Sequence, residues 1–317
     1  MPLHGSPSVC LLVLNYNGIQ HLDECLRTAV VAASRYAGRC AVVLVDNRST
    51  DGSADFSRRH YPSVEVVVAE RNDFLFSLNA VVERRHEDVV IVLNNDMRFD
   101  PGFVEPLTGH FADPDVFGVG AAILTWDGQA DTVGARCARL ERWWFHKWWS
   151  SEPSAALTLE ACGGAAAYRR SMFVELRGFD PLYRPGYYED LDLSYRAWAN
   201  GWKVVYEPRS RAYHKESVSM LARYGDTGKA RLLYRNHLLF TIKNLGGASF
   251  LLGFLALLPY RVIGPLFYGY RVPFAGFLRA LPLMPAAFRA RRRRAEPGVD
   301  LRSFESVRPL EQQPSRA

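Results

Sequence analysis

Four short runs of unbroken apolar residues mark the first hundred positions, each ended by polar turn formers. Val9 to Leu14 runs into Asn15-Tyr16-Asn17-Gly18, and Ala41 to Val45 into Asp46-Asn47-Arg48-Ser49-Thr50-Asp51-Gly52. Val64 to Val68 is the third run, and Val89 to Leu93 ends at Asn94-Asn95-Asp96. Runs of this length without alternation read as strands buried on both faces. Between them the period changes: Leu22, Leu26, Ala29, Val30 and Ala33 recur at helical spacing within 19–36. Shorter helices are expected over 51–60 and 78–85. Strand and helix in alternation predict an α/β domain with a mostly parallel sheet flanked by helices. Such sheets bind ligands beyond the carboxyl ends of their strands. Here those ends collect Asn15, Asn17, Asp46, Asn47, Asn94, Asn95 and Asp96.

The pattern is less regular from 120 to 160. Thr125-Trp126-Asp127-Gly128 reads as a hairpin turn, and Trp143, Trp144, Trp148 and Trp149 cluster with Arg142 and Lys147 between them. Aromatic faces beside a cation suit a sugar, a lipid headgroup boundary or a packed lid. Ala161-Cys162-Gly163-Gly164 through Tyr168 is an extended small-residue segment, and its glycines permit close approach of backbone to a ligand. From Gly246 the composition shifts. The window Ala248 to Tyr270 is long enough to span a bilayer, but Arg261 and several prolines interrupt it. Broken apolar segments of this kind suit helices lying in the membrane plane. The expected division is a catalytic domain over 1–245, a helical, membrane-associating tail over 246–295 and a flexible C-terminus over 296–317.

Composition adds two constraints. The chain has 317 residues, 48% hydrophobic and 23% charged, which is a globular balance with ample material for a core. Its net charge is +6, and Arg289, Arg291, Arg292, Arg293 and Arg294 crowd together after the apolar tail. Basic charge beside greasy surface points to an anionic membrane rather than to nucleic acid. The five cysteines are scattered, with neither zinc-site spacing nor a disulfide framework, and Cys10 and Cys162 read as core fillers. No charged start with an apolar signal core opens the chain, so cytoplasmic residence is the expectation.

Chemistry concentrates in two places. Asp96 follows a buried strand, where a carboxylate can hold a divalent cation and the cation a diphosphate. Glu189, Asp190 and Asp192 open a helix whose apolar face is Leu193, Ala197 and Trp198 and which stops at Asn200-Gly201. The helix dipole favours acidic residues there, so ordinary capping explains part of this cluster. Lys203 to Tyr206 reads as a strand leading through Pro208 to His214, a candidate metal ligand.

VCLLVLNYNG, VVLVDNRSTDGS, VIVLNNDMRFDPGFVEPL, ACGGAAAYRRSMFVELRGFD, YYEDLDLSYRAWANGWKVVYEP and His214 occur in the order seen in family 2 glycosyltransferases. Over residues 9 to 217 the chain resembles that family, in particular its bacterial rhamnosyltransferase-like members that build cell-surface glycans. The resemblance implies a nucleotide-diphospho-sugar transferase fold of the GT-A type and inverting transfer from a nucleoside diphosphate sugar to a glycan or lipid-linked acceptor. Asp96 would be the principal carboxylate on Mg²⁺ or Mn²⁺, with His214 and Asn94 beside it. Asp46 would contact the nucleobase or ribose, with Asn15, Asn17, Asn47 and Asn95 nearby. Asp190, in its pair with Glu189, would be the general base, and Gly163 and Gly164 would line the sugar pocket.

Two departures stand out. Asn94 occupies a place where many relatives carry Asp. Phe74 and Phe76 stand in a segment, 69–79, that usually carries glycines, although Arg71 and Asn79 remain there to reach the donor. Three other readings compete. A dinucleotide-binding enzyme would want a glycine-rich turn after the first strand, and Asn15-Tyr16-Asn17-Gly18 does not supply it. A membrane-docked binding module without turnover, or transfer of a hexose to polyprenyl phosphate, stays open.

Overall fold

The computed structural model describes residues 5–215, 218–292 and 299–310. The first hundred residues follow the expected alternation: β1 (Val9–Asn15), α1 (Ile19–Arg35), β2 (Cys40–Asp46), α2 (Ser53–His60), β3 (Glu65–Val68), α3 (Ser77–Arg84) and β4 (Val89–Asn94). The unbroken apolar runs have a simple cause. Successive side chains of a strand point to opposite faces, and both faces are covered. Val9, Leu11 and Val13 of β1 pack with Leu22, Leu26 and Ala29 of α1. Cys10 and Leu12 pack on the other face with Leu78 and Val82 of α3.

The chain continues through β5 (Met97–Phe99), α4 (Val104–Gly109), β6 (Val116–Thr125), β7 (Asp131–Val133), β8 (Ala135–Glu141), β9 (Trp144–Ser150) and β10 (Ala156–Leu157). Then come β11 (Ala165–Arg169), α5 (Arg170–Glu175), α6 (Glu189–Ala199) and β12 (Lys203–His214). The main sheet has the order β13-β10-β12-β6-β11-β4-β1-β2-β3, where β13 is Arg308–Pro309. It is parallel from β3 to β4, but β11 enters antiparallel between β4 and β6, so the sheet as a whole is mixed. β12 is longer than the strand expected over 203–206 and absorbs Pro208 where its register with β6 slips between Glu207 and Arg211. A proline has no amide proton for the ladder, and such a slip is where a strand accommodates one. β8 and β9 form a separate two-stranded hairpin carrying the tryptophans.

Four helices complete the chain: α7 (Val218–Asn244), α8 (Ala248–Ile263), α9 (Val272–Ala280) and α10 (Met284–Arg292). The end of α7 is core, with Leu238, Leu239, Phe240 and Ile242 fully buried. Gly276 of α9 lies so close to α7 that a Cβ there would stand 2.9 Å from Tyr234.

One member of the basic run is taken up by the fold. Arg291 turns inward and donates to the carbonyls of Ile242, Leu245 and Gly246, capping the end of α7. Arg293 and Arg294 lie outside the described residues. The segment expected to be a flexible C-terminus also departs from that reading over 299–310. Leu301 and Phe304 are buried, Phe304 meets Trp198 edge-on at 5.0 Å, and β13 pairs with β10.

Candidate functional site

The carboxyl ends of β1, β2 and β4 meet in one polar knot. The parallel register sets Asn15 opposite Asp46, and Asn15 Nδ2 donates to Asp46 Oδ1 at 2.9 Å and to Ser49 Oγ at 3.1 Å. Asp46 Oδ2 accepts from Ser49 N, and Asn17 Oδ1 accepts from Thr50 N. Asn17 holds a positive φ of 47°, which asparagine tolerates better than most residues. Asn95 closes the knot from β4, donating to Asn15 Oδ1 at 2.5 Å. Gly18 makes room for this: a Cβ there would stand 2.1 Å from Asn95 Nδ2. Asn47 donates to Phe74 O at 2.7 Å, while its buried Oδ1 has no hydrogen-bond partner. Ser49, which sequence reading passed over, holds three members of the knot together.

Beside the knot stand Asp96 and His214. β5 pairs antiparallel with β12, with Met97 opposite His214, and this brings the imidazole to the turn after β4. His214 Nε2 lies 3.2 Å from Asp96 Oδ1. That oxygen is buried and receives no hydrogen bond, which leaves its lone pairs for a cation. Among the described residues no third His, Cys, Asp or Glu joins the pair. The pair could hold a divalent cation that takes its remaining ligands from substrate phosphates and water. Asn94 adds only a neutral amide, lying 3.2 Å from where a Cβ on Gly164 would be.

The Gly163-Gly164 turn joins this half of the site to the other. Gly164 O accepts from Asn94 N, and a Cβ on Gly164 would stand 2.9 Å from Met97 Cε. Gly163 N donates to Asp190 Oδ2 at 3.2 Å. Asp190 and Glu189 begin α6 after a strained approach, since Tyr187 and Tyr188 hold φ of 68° and 75°. Asn236 of α7 pins that loop by donating to the carbonyls of Gly186 and Tyr187.

Burial and then the Glu160 charge, opposed by Lys147, raise Asp190 to about 7. Burial and then the Asp190 charge push Glu189 well above the usual carboxylate range. Asp192 behaves in the opposite way. Burial opposes its ionisation, but Lys243 and Arg196 outweigh that and hold its carboxyl well below the usual range. It is fully buried and bonded to Tyr183, Arg196, Lys243 and Asn244. Asp192 is thus a structural anchor, and capping does not account for it.

Two residues expected to reach the donor make contacts within the protein. Both ends of the Asn79 amide are taken by Phe179, its Nδ2 donating to the carbonyl at 2.8 Å and its Oδ1 accepting from the amide at 2.9 Å. These bonds fix the turn at Gly178. Arg71 is exposed and paired only with Asp73 at 3.4 Å, while Asp73 is clamped by Arg184. Phe76 is buried, consistent with filled space in this segment.

The comparisons with known proteins bear on this arrangement. A family model described as glycosyltransferase like family 2 matches residues 7–225. The N-acetylglucosaminyl-diphospho-decaprenol L-rhamnosyltransferase of Mycobacterium tuberculosis is 26% identical over 238 residues, 66% of this chain and 76% of that protein. The O-antigen biosynthesis protein RfbC of Myxococcus xanthus is 25% identical over 240 residues, 70% of this chain and 18% of that one. Among solved structures, the mannosyltransferase PcManGT of Pyrobaculum calidifontis in complex with GDP-Man and Mn2+ superimposes with a TM-score of 0.56 at 18% identity, covering 92% of this chain and 76% of that chain. GalNAc-T7 with UDP, GalNAc and Mn2+ superimposes with a TM-score of 0.56 at 14% identity, covering 84% of this chain and 59% of that chain. At such identities the structures show the fold, and it is the GT-A fold. The family match reaches from the strand that carries Asn15 past the one that carries His214, more than half of the chain, and the protein belongs to glycosyltransferase family 2.

Proposed function

We propose that the protein moves a sugar from a nucleoside diphosphate sugar to a hydroxyl of a glycan or lipid-linked acceptor in cell-surface polysaccharide synthesis, with inversion at the anomeric carbon. The observation that carries this is the glycine turn. Through Gly163 and Gly164 one short segment touches both Asp190 and the Asn94-Asn95-Asp96 turn. Asp190 takes the acceptor proton as the hydroxyl oxygen bonds to the anomeric carbon. The bond from that carbon to the diphosphate breaks, and its electron pair leaves with the nucleotide. A base poised near 7 suits this transfer at neutral pH. Asp96 and His214 would hold Mg²⁺ or Mn²⁺, which when bound offsets charge on the departing diphosphate. Asn15, Asp46 and Asn47 form the wall facing the nucleoside.

Our reading places the catalytic unit over 1–245 and a membrane-docking tail over 246–295, working peripherally at the cytoplasmic face of the cell membrane. The segment Ala248–Tyr268 has a mean hydropathy of 1.8 with 17% of it buried. Phe267 and Tyr268 are 84% and 90% exposed, with Leu252, Tyr260 and Ile263 also in solvent. The same tail holds a groove of about 600 Å³ lined by Leu281, Met284, Pro285, Phe288 and Arg289. Exposed apolar surface of this kind marks an interaction site, and Arg289 at the groove favours anionic lipid.

The test is a thermal-shift panel of nucleotides and nucleotide sugars, with and without Mn²⁺. One nucleoside diphosphate should raise the melting temperature in a metal-dependent manner. Saturation at a hundredfold over Kd is worth about 2.7 kcal/mol, and the shift should vanish in Asp96→Ala. No shift with any nucleotide would point to a binding module without turnover. Asp190→Asn should lower turnover about 10²- to 10⁴-fold. A persisting rate would instead favour polyprenyl phosphate, an acceptor that is already an anion.

A further inference from the structure

Beneath the start of α6 lies a charge cluster that the proposed reaction does not use. Glu160 is buried and pairs with Arg136 Nε at 2.9 Å, and its Oε2 lies 4.0 Å from Lys147 Nζ. The Arg136 guanidinium rests on the face of Trp149, 3.2 Å from the ring centroid. Lys147 Nζ rests 4.0 Å over the ring of Tyr188, the residue immediately before Glu189. Both cations come from the β8–β9 hairpin, where Lys147 stands opposite Ala138 in the register. A small hairpin outside the main sheet therefore delivers two positive charges to the back of the proposed base.

The groups facing Asp190 can be named element by element. Glu189 comes from α6, and Glu160 and Cys162 from the segment before the glycine turn. Lys147 comes from the hairpin, where Arg136 stands behind it on Glu160, and Tyr168 from β11. Tyr168 and Cys162 are both pushed up by burial and stay neutral. Three carboxylates thus confront two cations. Glu160 stays ionised, because Arg136 and Lys147 outweigh the burial that opposes its charge. Glu189 and Asp190 are left to share what positive field remains, and that field depends on Lys147, whose own pKa is lowered by burial and supported by Glu160.

We propose that Lys147 is a positioning residue for the transfer: its ammonium, set by the hairpin between Glu160 and Tyr188, keeps Asp190 ionised to receive the acceptor's proton. This rests on the reading of Asp190 as the base. Lys147 touches neither acceptor nor donor in this role and acts only through the carboxylates. Loss of one unit charge beside a half-buried carboxylate moves its titration by about one pH unit or more.

The experiment is the pH dependence of kcat/KM for the full chain and four variants, with the nucleotide sugar that gives the metal-dependent thermal shift as donor and N-acetylglucosaminyl-diphospho-decaprenol as acceptor. In Lys147→Met the acid limb should move up by about one pH unit, giving about tenfold lower kcat/KM well below the limb. Above the limb the variant should rejoin the parent. Lys147→Arg keeps the charge and should keep the limb. Glu160→Gln removes a negative neighbour and should move the limb down, a shift opposite in sign that a damaged fold does not mimic. A Lys147→Met rate reduced by one factor at every pH, or an unmoved limb, overturns the proposal. So do shifts of the same sign in Lys147→Met and Glu160→Gln. Asp190→Asn separates the two failures: if it stays active, the base reading fails, and if it is inactive while the limb stays put in Lys147→Met, only the role of Lys147 fails.

Discussion

Replacing Lys243 with methionine should destabilise the fold without touching the reacting groups. Lys243 Nζ lies 2.7 and 2.8 Å from the two oxygens of Asp192 and 2.6 Å from Asp180 Oδ2. Asp192 is wholly shielded from solvent. Methionine preserves much of the packing but leaves a carboxylate in the core with one cation fewer. Breaking a buried pair on one side costs about 3–5 kcal/mol. The lower end applies, because Arg196, Asn244 and Tyr183 still donate to Asp192. At roughly 2 °C per kcal/mol for a chain of this size, the melting temperature should fall by about 6 °C. The pH dependence carries a sign. A depressed carboxylate stabilises the fold fully above its unfolded value near 3.9, and this is lost as pH falls through the lower folded value. The gap between parent and Lys243→Met should therefore hold at pH 7 and narrow below about pH 4. Adding Asp192→Asn should restore part of the loss, since the unpaired charge goes with it. Calorimetric melting across pH measures all of this. A Lys243→Met protein melting within 1 °C of the parent, or a gap that ignores acid, would refute the reasoning.

Three further outcomes follow from named contacts. Gly18→Ala should abolish nucleotide-dependent thermal stabilisation while the ligand-free protein melts close to the parent, because the new Cβ displaces Asn95 from Asn15. His237 is held down to about 3, chiefly by burial and then by Lys147, so it stays neutral in the fold. Its contribution is present above the unfolded value near 6.5 and is lost as pH falls toward 3, and His237→Gln should flatten that slope in urea titrations at stepped pH. Phe267→Ser with Tyr268→Ser should weaken sedimentation with vesicles containing phosphatidylserine, leaving nucleotide binding in solution unchanged.

Local pattern was enough to find the strand ends. An apolar run and the turn that stops it are neighbours in the chain, so Asn15, Asp46 and Asp96 were readable before their geometry was known. Residues whose meaning depends on distant partners were not. Asp192 reads as helix-dipole decoration, and only a lysine fifty-one positions later makes it an anchor. Asn79 has the composition of a ligand contact but spends both ends on a backbone a hundred positions away. Glu160 hides in a small-residue segment and Lys147 among tryptophans, where no spacing rule connects them. The anchoring of 299–310 rests on Leu301, Phe304 and the two-residue β13, too little to show a period.

Arg261 sits in the one segment among the described residues with the length and hydropathy to cross a bilayer. It donates to the carbonyls of Arg142 and Trp143 at the hairpin tip and lies 4.6 Å from the Trp144 ring centroid. Trp143 in turn sits against Gly253 so closely that a Cβ there would stand 2.5 Å from its ring. Helix and hairpin are thus riveted, and the same hairpin reaches Lys147 at the acidic pocket. For a helix lying on a lipid surface, such a rivet acts as a ruler: it sets one height at which the carboxylates stand above that surface. An acceptor anchored in the bilayer would then be selected by the length of the spacer between its lipid and its hydroxyl. Lengthening the loop around Gly246 and Gly247 would leave that height unchanged, because the rivet and not the linker sets it.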